Sequence, residues 1–195
     1  MSVERIPDDM FADARRTVEV MKKGGVILYP TDTIWGLGCD ASNPEAVARL
    51  YKIKERADSK PMLVLVDSVS SMERIIPDVP EIAYDLIEAA VDPMTIIYDS
   101  AKGVAPSLLG ADGSLGVRVT REPFSATLCR GLRRPVVSTS ANKSGMPSAL
   151  VFSDIDNEII EAVDYVCTSR RDEKKPGRPS GIIRLGDGGL FKIIR

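Results

Sequence analysis

The chain has 195 residues, 44% hydrophobic and 28% charged, and its 26 Lys and Arg against 28 Asp and Glu leave a net charge of −2. That balance predicts a soluble globular protein with one sizeable core, excludes disordered and fibrous classes, and argues against a chain devoted to coating nucleic acid. Histidine is absent altogether, which removes Ser-His-Asp and Cys-His nucleophiles, His-ligated zinc and a histidine general base. Chemistry here must rest on positioning, on charge stabilisation, or on a nucleophile the substrate brings.

Residues 8–23 place Phe11, Ala14, Val18 and Met21 at helical spacing before a Gly24-Gly25 stop, which predicts an opening amphipathic helix. GVILY (25–29) reads as a buried strand, and it empties into the polar stretch YPTDTIWGLGCD (29–40), read as a loop. SNPEAVARLYKIKER then begins a helix, with Asn43 as cap and Pro44 in the first turn. Further strands are expected at 62–66, 94–98, 115–119, 135–139, 164–169, 181–185 and 190–194, with helical segments in PEIAYDLIEAA, EPFSATLCRGL and SDIDNEIIEAV. The alternation predicts an α/β fold of one domain over residues 1–195, built on a twisted sheet flanked by helices, partly parallel and mixed toward the C-terminal end. No run approaches the ~18 apolar residues of a membrane span, and MSVERIPDDM lacks the apolar core of a secretory signal, so a cytoplasmic chain without membrane contact is expected. Cys39, Cys129 and Cys167 are odd in number and widely spaced, and are expected to be buried free thiols.

Three polar segments stand where strands end: PTDT (30–33), KERADSK (54–60) and STSANKSG (138–145). In open α/β sheets such ends converge on one crevice. Each has an ordinary role as a turn or a helix end. Yet Val47, Leu50, Tyr51 and Lys54 share one helix face, so the Lys54 stem should point into the protein. Lys54 and Arg56 beside the hydroxyls and amide of SANKSG offer the charge and convergent hydrogen bonds that polyphosphates require. Neither GxxxxGK[ST] nor GxGxxG occurs, so a P-loop or Rossmann site is excluded.

GGVILYPTDTIWGLGCDA, KIKER, DPMTIIY, GVRV and STSANKSGMPS, in that order, resemble the YrdC/Sua5/YciO family from about Gly24 to Leu185. The resemblance implies a YrdC-like fold with a large concave cavity. It also implies L-threonylcarbamoyladenylate synthesis from L-threonine, bicarbonate and ATP with release of pyrophosphate, the first step of threonylcarbamoyladenosine formation in tRNA. Mg²⁺ would accompany the nucleotide, and downstream threonylcarbamoyl transferase proteins would take the product. By motif, Lys54 and Arg56 would hold the ATP phosphates as the catalytic cations. Lys60, Thr95, Ser138, Ser140 and Asn142 would complete the nucleotide side. Thr33, Arg118 and Ser180 would bind threonine, and Gly36 and Gly38 would let the backbone approach it. No protein-held metal is expected. Lys60, Leu65, Asp92 and Thr139 stand where many synthases carry Asn, His, Gly and Pro. These departures leave an alternative open: a YciO-like protein of the same fold that receives double-stranded RNA or tRNA without chemistry, through Arg133, Arg134, Lys174 and Lys175. RRDEKKPGRP (170–179), half Arg or Lys and without an apolar anchor, is expected to be a mobile lid over the nucleotide.

Overall fold

The computed structural model describes residues 6–57, 61–174, 177–186 and 191–194. The opening periodicity forms α1 (Asp8–Lys22), which buries Ala14, Val18 and Met21 but leaves Phe11 47% exposed. Gly24, at φ +81°, ends it by donating to the Met21 carbonyl, a left-handed position that suits glycine. Strand β1 (Ile27–Tyr29) follows. The stretch read as a loop contains a second strand, β2 (Gly36–Gly38), antiparallel to β1 with Tyr29 opposite Gly36 and Ile27 opposite Gly38. Two glycines in three residues carry no strand signal; the partners supply the pairing. A Cβ on Gly38 would lie 2.5 Å from the Val137 carbonyl oxygen and 2.8 Å from Tyr29 Cε1. Gly38 therefore makes room for the Tyr29 ring and the Val137 carbonyl, and its expected role of admitting substrate is corrected.

Helix α2 (Pro44–Ile53) starts as the sequence predicts, with the Asn43 side chain accepting from the amides of Glu45 and Ala46. Then come β3 (Leu63–Val66), the unforeseen short helix α3 (Val69–Glu73), α4 (Glu81–Ala89), β4 (Met94–Tyr98), β5 (Leu115–Val119), α5 (Pro123–Leu132), β6 (Val136–Ser140), α6 (Asn157–Ala162), β7 (Tyr165–Val166), β8 (Gly181–Leu185) and β9 (Phe191–Ile193). Among the described residues they form one nine-stranded sheet ordered β7-β1-β2-β6-β3-β5-β4-β8-β9. Pairing is mixed throughout, with parallel contacts β1–β7, β3–β5 and β4–β8 among antiparallel ones, whereas mixing was expected only near the C-terminal end. The strand expected over 164–169 shortens to two residues, because Ser169 turns away to give its amide and hydroxyl to the buried Asp13 carboxylate at 2.8 and 2.6 Å.

Side-chain alternation divides the sheet by chemistry. Along β5, Leu115 and Val117 enter the apolar core, while Gly116 and Arg118 line a cavity. Helices α1 and α5 pack against each other, with Gly131 of α5 against Val18. All three cysteines are free and buried, and burial pushes their thiols up, so they serve as core residues. No helix of the described residues is long and apolar enough to cross a membrane.

Candidate functional site

A cavity of about 280 Å³ opens over the polar face of the sheet. Its wall takes Thr33 from the β1–β2 connection, Arg56 from beyond α2 and Thr95 from β4. Arg118 comes from β5, Ser138 and Ser140 from β6, and Ser180 from the residue before β8. Seven residues singled out in the sequence thus meet in one place, supplied by six separate segments. A larger chamber of about 1560 Å³ abuts it across Thr31, Thr33, Ile34, Trp35 and Pro179, which line both. Lys60 lies outside the described residues.

Lys54 and Asn142 hold the wall from behind. Lys54 caps the C-terminus of α2 and is only 1% exposed, and its Nζ donates to the carbonyls of Ser140 at 2.5 Å and Asn142 at 2.6 Å. The stem points inward, as the helix face predicts. Burial first, and then the nearby Arg56 guanidinium, lower its pKa from 10.5 to about 8, while the two carbonyls favour retention of the proton. Ser144 adds its amide to the Lys54 carbonyl at 2.8 Å, so helix end and SANKSG loop are tied in both directions. Asn142 donates Nδ2 to the carbonyls of Lys143 and Met146, and its Oδ1 is buried without a hydrogen-bond partner among the described residues.

Charge in the cavity centres on Arg118, 3% exposed. Its Nη2 lies 3.1 Å from Asp32 Oδ1, an ion-pair distance without hydrogen-bond alignment, so Asp32 Oδ1 and Arg118 Nε both stay buried and unpartnered among the described residues. Thr120 steadies the other Asp32 oxygen from 3.3 Å. The hydroxyls of Thr31 and Thr33 lie 2.9 Å apart, and Thr31 also donates to the Ile34 carbonyl. Across the cavity, Thr95 and Ser180 share a hydroxyl contact of 3.1 Å.

A family model described as Telomere recombination, the Sua5/YciO/YrdC model, matches residues 19–195. The chain belongs to this family. Its relatives include the threonylcarbamoyl-AMP synthases of Pseudoalteromonas translucida, 32% identical over 90% of this chain and 94% of theirs, and of Nitrosococcus oceani, 34% identical over 93% and 96%. Among solved structures, E. coli YciO superposes with a TM-score of 0.81 at 25% identity, covering 95% of this chain and 89% of that one. A variant of P. abyssi Sua5 superposes at 0.87 and 24% identity, which speaks to the fold; this chain spans 58% of its length.

Within this Sua5/YciO/YrdC chain, the basic segment after Ser169 is held rather than free in its described part. Arg170 donates to the Thr31 carbonyl at 3.0 Å and pairs with Glu122 and Glu173. Arg171 donates to the carbonyls of Val166 and Cys167 and lies 5.0 Å over the Phe152 ring. A Cβ on Gly177 would fall 1.6 Å from the Thr33 carbonyl oxygen. The sequence predicts a segment mobile for want of an apolar anchor; at its start Arg170 and Arg171 supply polar anchors instead. Lys175 and Pro176 lie outside the described residues. Sequence reasoning also missed Asp32 as the partner of Arg118, since an aspartate between two threonines signals only a turn.

Proposed function

We propose that the chain is a threonylcarbamoyl-AMP synthase, a nucleotidyltransferase that joins L-threonine, bicarbonate and ATP into L-threonylcarbamoyladenylate and pyrophosphate. The observation that carries this reading is the convergence of Thr33, Arg56, Thr95, Arg118, Ser138, Ser140 and Ser180 on one cavity in a chain whose relatives bear that name. The buried Arg118, with its open Nε, suits the threonine carboxylate, and Thr33 and Ser180 stand near enough to its wall to meet the substrate hydroxyl and amine. Arg56 and the hydroxyls of Ser138 and Ser140 suit the phosphates. Lys54 acts by fixing the carbonyls of Ser140 and Asn142, with Lys60 expected on the nucleotide side as well.

Chemistry without histidine follows from the reaction itself. The carbamate of threonine attacks the α-phosphorus, the bond to the β-phosphate oxygen breaks, and pyrophosphate leaves. The protein needs to align the carbamate and neutralise the leaving charge. Mg²⁺ would arrive on the nucleotide, since it takes phosphate oxygens plus one or two carboxylates. The segment 170–179 would act as a lid on the Thr33 wall, excluding water from a labile anhydride. The product then needs a transferase that delivers it to tRNA. Pyrophosphate release, measured with each of the three substrates omitted in turn, tests the reading. Release that persists without threonine or bicarbonate would sink it, and added hydrogen-exchange protection of 170–179 with ATP plus threonine is expected for the lid.

A further inference from the structure

A second cavity, of about 610 Å³, lies at the opposite end of β6. Arg134 and Pro135 precede that strand and Ser140 ends it, so the two sites stand roughly 17 Å apart at ~3.3 Å per residue. Four arginines line the second cavity, Arg74, Arg130, Arg133 and Arg134, against one carboxylate, Asp67. Guanidinium groups do not deprotonate, so this lining keeps a positive excess.

The internal pairing leaves two of the four arginines, Arg74 and Arg133, without an ion pair among the described residues. Arg130 approaches Asp67 only to 3.8 Å. The other Asp67 oxygen accepts from the Ser71 hydroxyl at 2.6 Å, and that hydroxyl in turn accepts from Arg74 Nη2 at 2.6 Å, which sets the guanidinium in place. Arg134 reaches out of the cavity to Asp40 at 2.9 Å. The Arg133 side chain has neither ion pair nor hydrogen bond among the described residues, its amide alone being bound, to the Cys129 carbonyl at 2.8 Å, and the residue occupies a left-handed conformation, φ 58° and ψ 27°, at the cap of α5. Glycine is the ordinary occupant of such a cap. Cations at a helix end complement its dipole, which accounts for one arginine at α5 but not for four from two helices around a shared hollow. The other walls mix aliphatic Val66, Ile75 and Pro135 with the hydroxyls of Ser68 and Ser71, and among the described residues no aromatic ring offers a base a stacking surface.

We propose that this cavity is a second anion site, which takes a compact oligophosphate of two or more phosphoryl groups and recognises it by charge rather than by base. Guanidiniums bind phosphate oxygens in pairs, and a hollow of this size encloses a small molecule rather than lying along a duplex. The inference is independent of the synthase reading.

Inorganic tripolyphosphate titrated calorimetrically into the whole chain tests it. Arg133→Gly removes the charge and relieves the left-handed residue, so its thermal midpoint should hold or rise. Combined with Arg74→Ala, it should weaken one class of tripolyphosphate binding at least tenfold while pyrophosphate release from ATP stays unchanged. Arg56→Ala should leave that class in place. Tripolyphosphate affinity unchanged by the double variant overturns the proposal. So does a result in which only an RNA duplex binds and loses affinity in the double variant, which would make the patch a nucleic-acid contact.

Discussion

Val117 and Arg118 are neighbours on β5, 2% and 3% exposed, and they face opposite ways. Equal burial has opposite meanings on the two faces. Apolar burial stabilises the fold unaided, at roughly 25 cal/mol per Å². A buried polar group stabilises only through its partners, and around the cavity those are incomplete: Arg118 Nε, Asp32 Oδ1 beside its ion pair, and Asn142 Oδ1 behind the wall have no hydrogen-bond partner among the described residues. The apolar face closes the molecule, and the polar face keeps hydrogen-bonding capacity in reserve for a ligand.

The sharpest way to break that division is at Lys54, where the polar face depends on a single side chain. Lys54→Met keeps the apolar stem and removes the donor that the Ser140 and Asn142 carbonyls share, leaving the Ser140 carbonyl with the Asn142 amide at 2.9 Å. Leaving the part-buried Asn142 carbonyl unmet should lower stability by ~1 to 3 kcal/mol in urea unfolding, with turnover falling as Ser140 shifts. The pH dependence has a definite sign. The folded chain releases the Lys54 proton near 8 and the unfolded chain near 10.5. Across that window the unfolded state binds more protons, so wild-type stability relative to Lys54→Met should be flat below pH 8 and rise from there to about 10.5. A difference that falls with pH would mean that the carbonyl contacts outweigh burial.

Arg56 is the counter-case, a cation two residues on that lines the cavity instead of bracing it. Arg56→Ala should leave the thermal midpoint in place and reduce kcat/KM for ATP by about 10- to 100-fold, as expected for one charge-assisted phosphate contact. Lost stability without lost ATP dependence would exchange the roles given to the two residues. Gly38 and Gly36 sharpen the comparison within one strand. Gly38→Ala should cost ~1 to 3 kcal/mol through overpacking against Tyr29 and Val137. Gly36→Ala, at a residue lining the cavity where a Cβ would meet Thr139 and Thr31 only at 3.3 Å, should alter stability less and threonine KM more.

Much of the frame is readable before any coordinates. The 94–98, 115–119 and 181–185 strands match their expected limits, and so does the Asn43 cap, because each combines local propensity with a buried environment. Strand β2 is illegible, since its glycines are chosen by the Tyr29 ring across the ladder and by β6, neither of which is near in sequence. Motif order brings out the cavity residues, but not that Lys54 stands behind the wall while Arg56 stands in it. That distinction depends on Glu55, whose left-handed backbone at φ 49° turns the chain between them. The basic segment misleads for a related reason: charge predicts solvation only until carbonyls and carboxylates are placed beside it, as Thr31 and Glu122 are for Arg170.

The smallest expected effect is at Thr33. Its hydroxyl already has a partner in Thr31 at 2.9 Å, and its amide donates to the same oxygen at 3.0 Å, so the residue would be satisfied as a turn former alone. It also lines both chambers, where a substrate hydroxyl would exchange with that contact. Thr33→Val keeps the shape and removes the hydroxyl. Replacing one neutral hydrogen bond, worth ~0.5 to 1.5 kcal/mol, should raise threonine KM about 2- to 12-fold with kcat nearly constant. Thr33→Ser should restore the wild-type value, because the hydroxyl returns while the methyl does not. An unchanged threonine KM in Thr33→Val would assign the residue to the turn and leave recognition of threonine to Arg118 and Ser180.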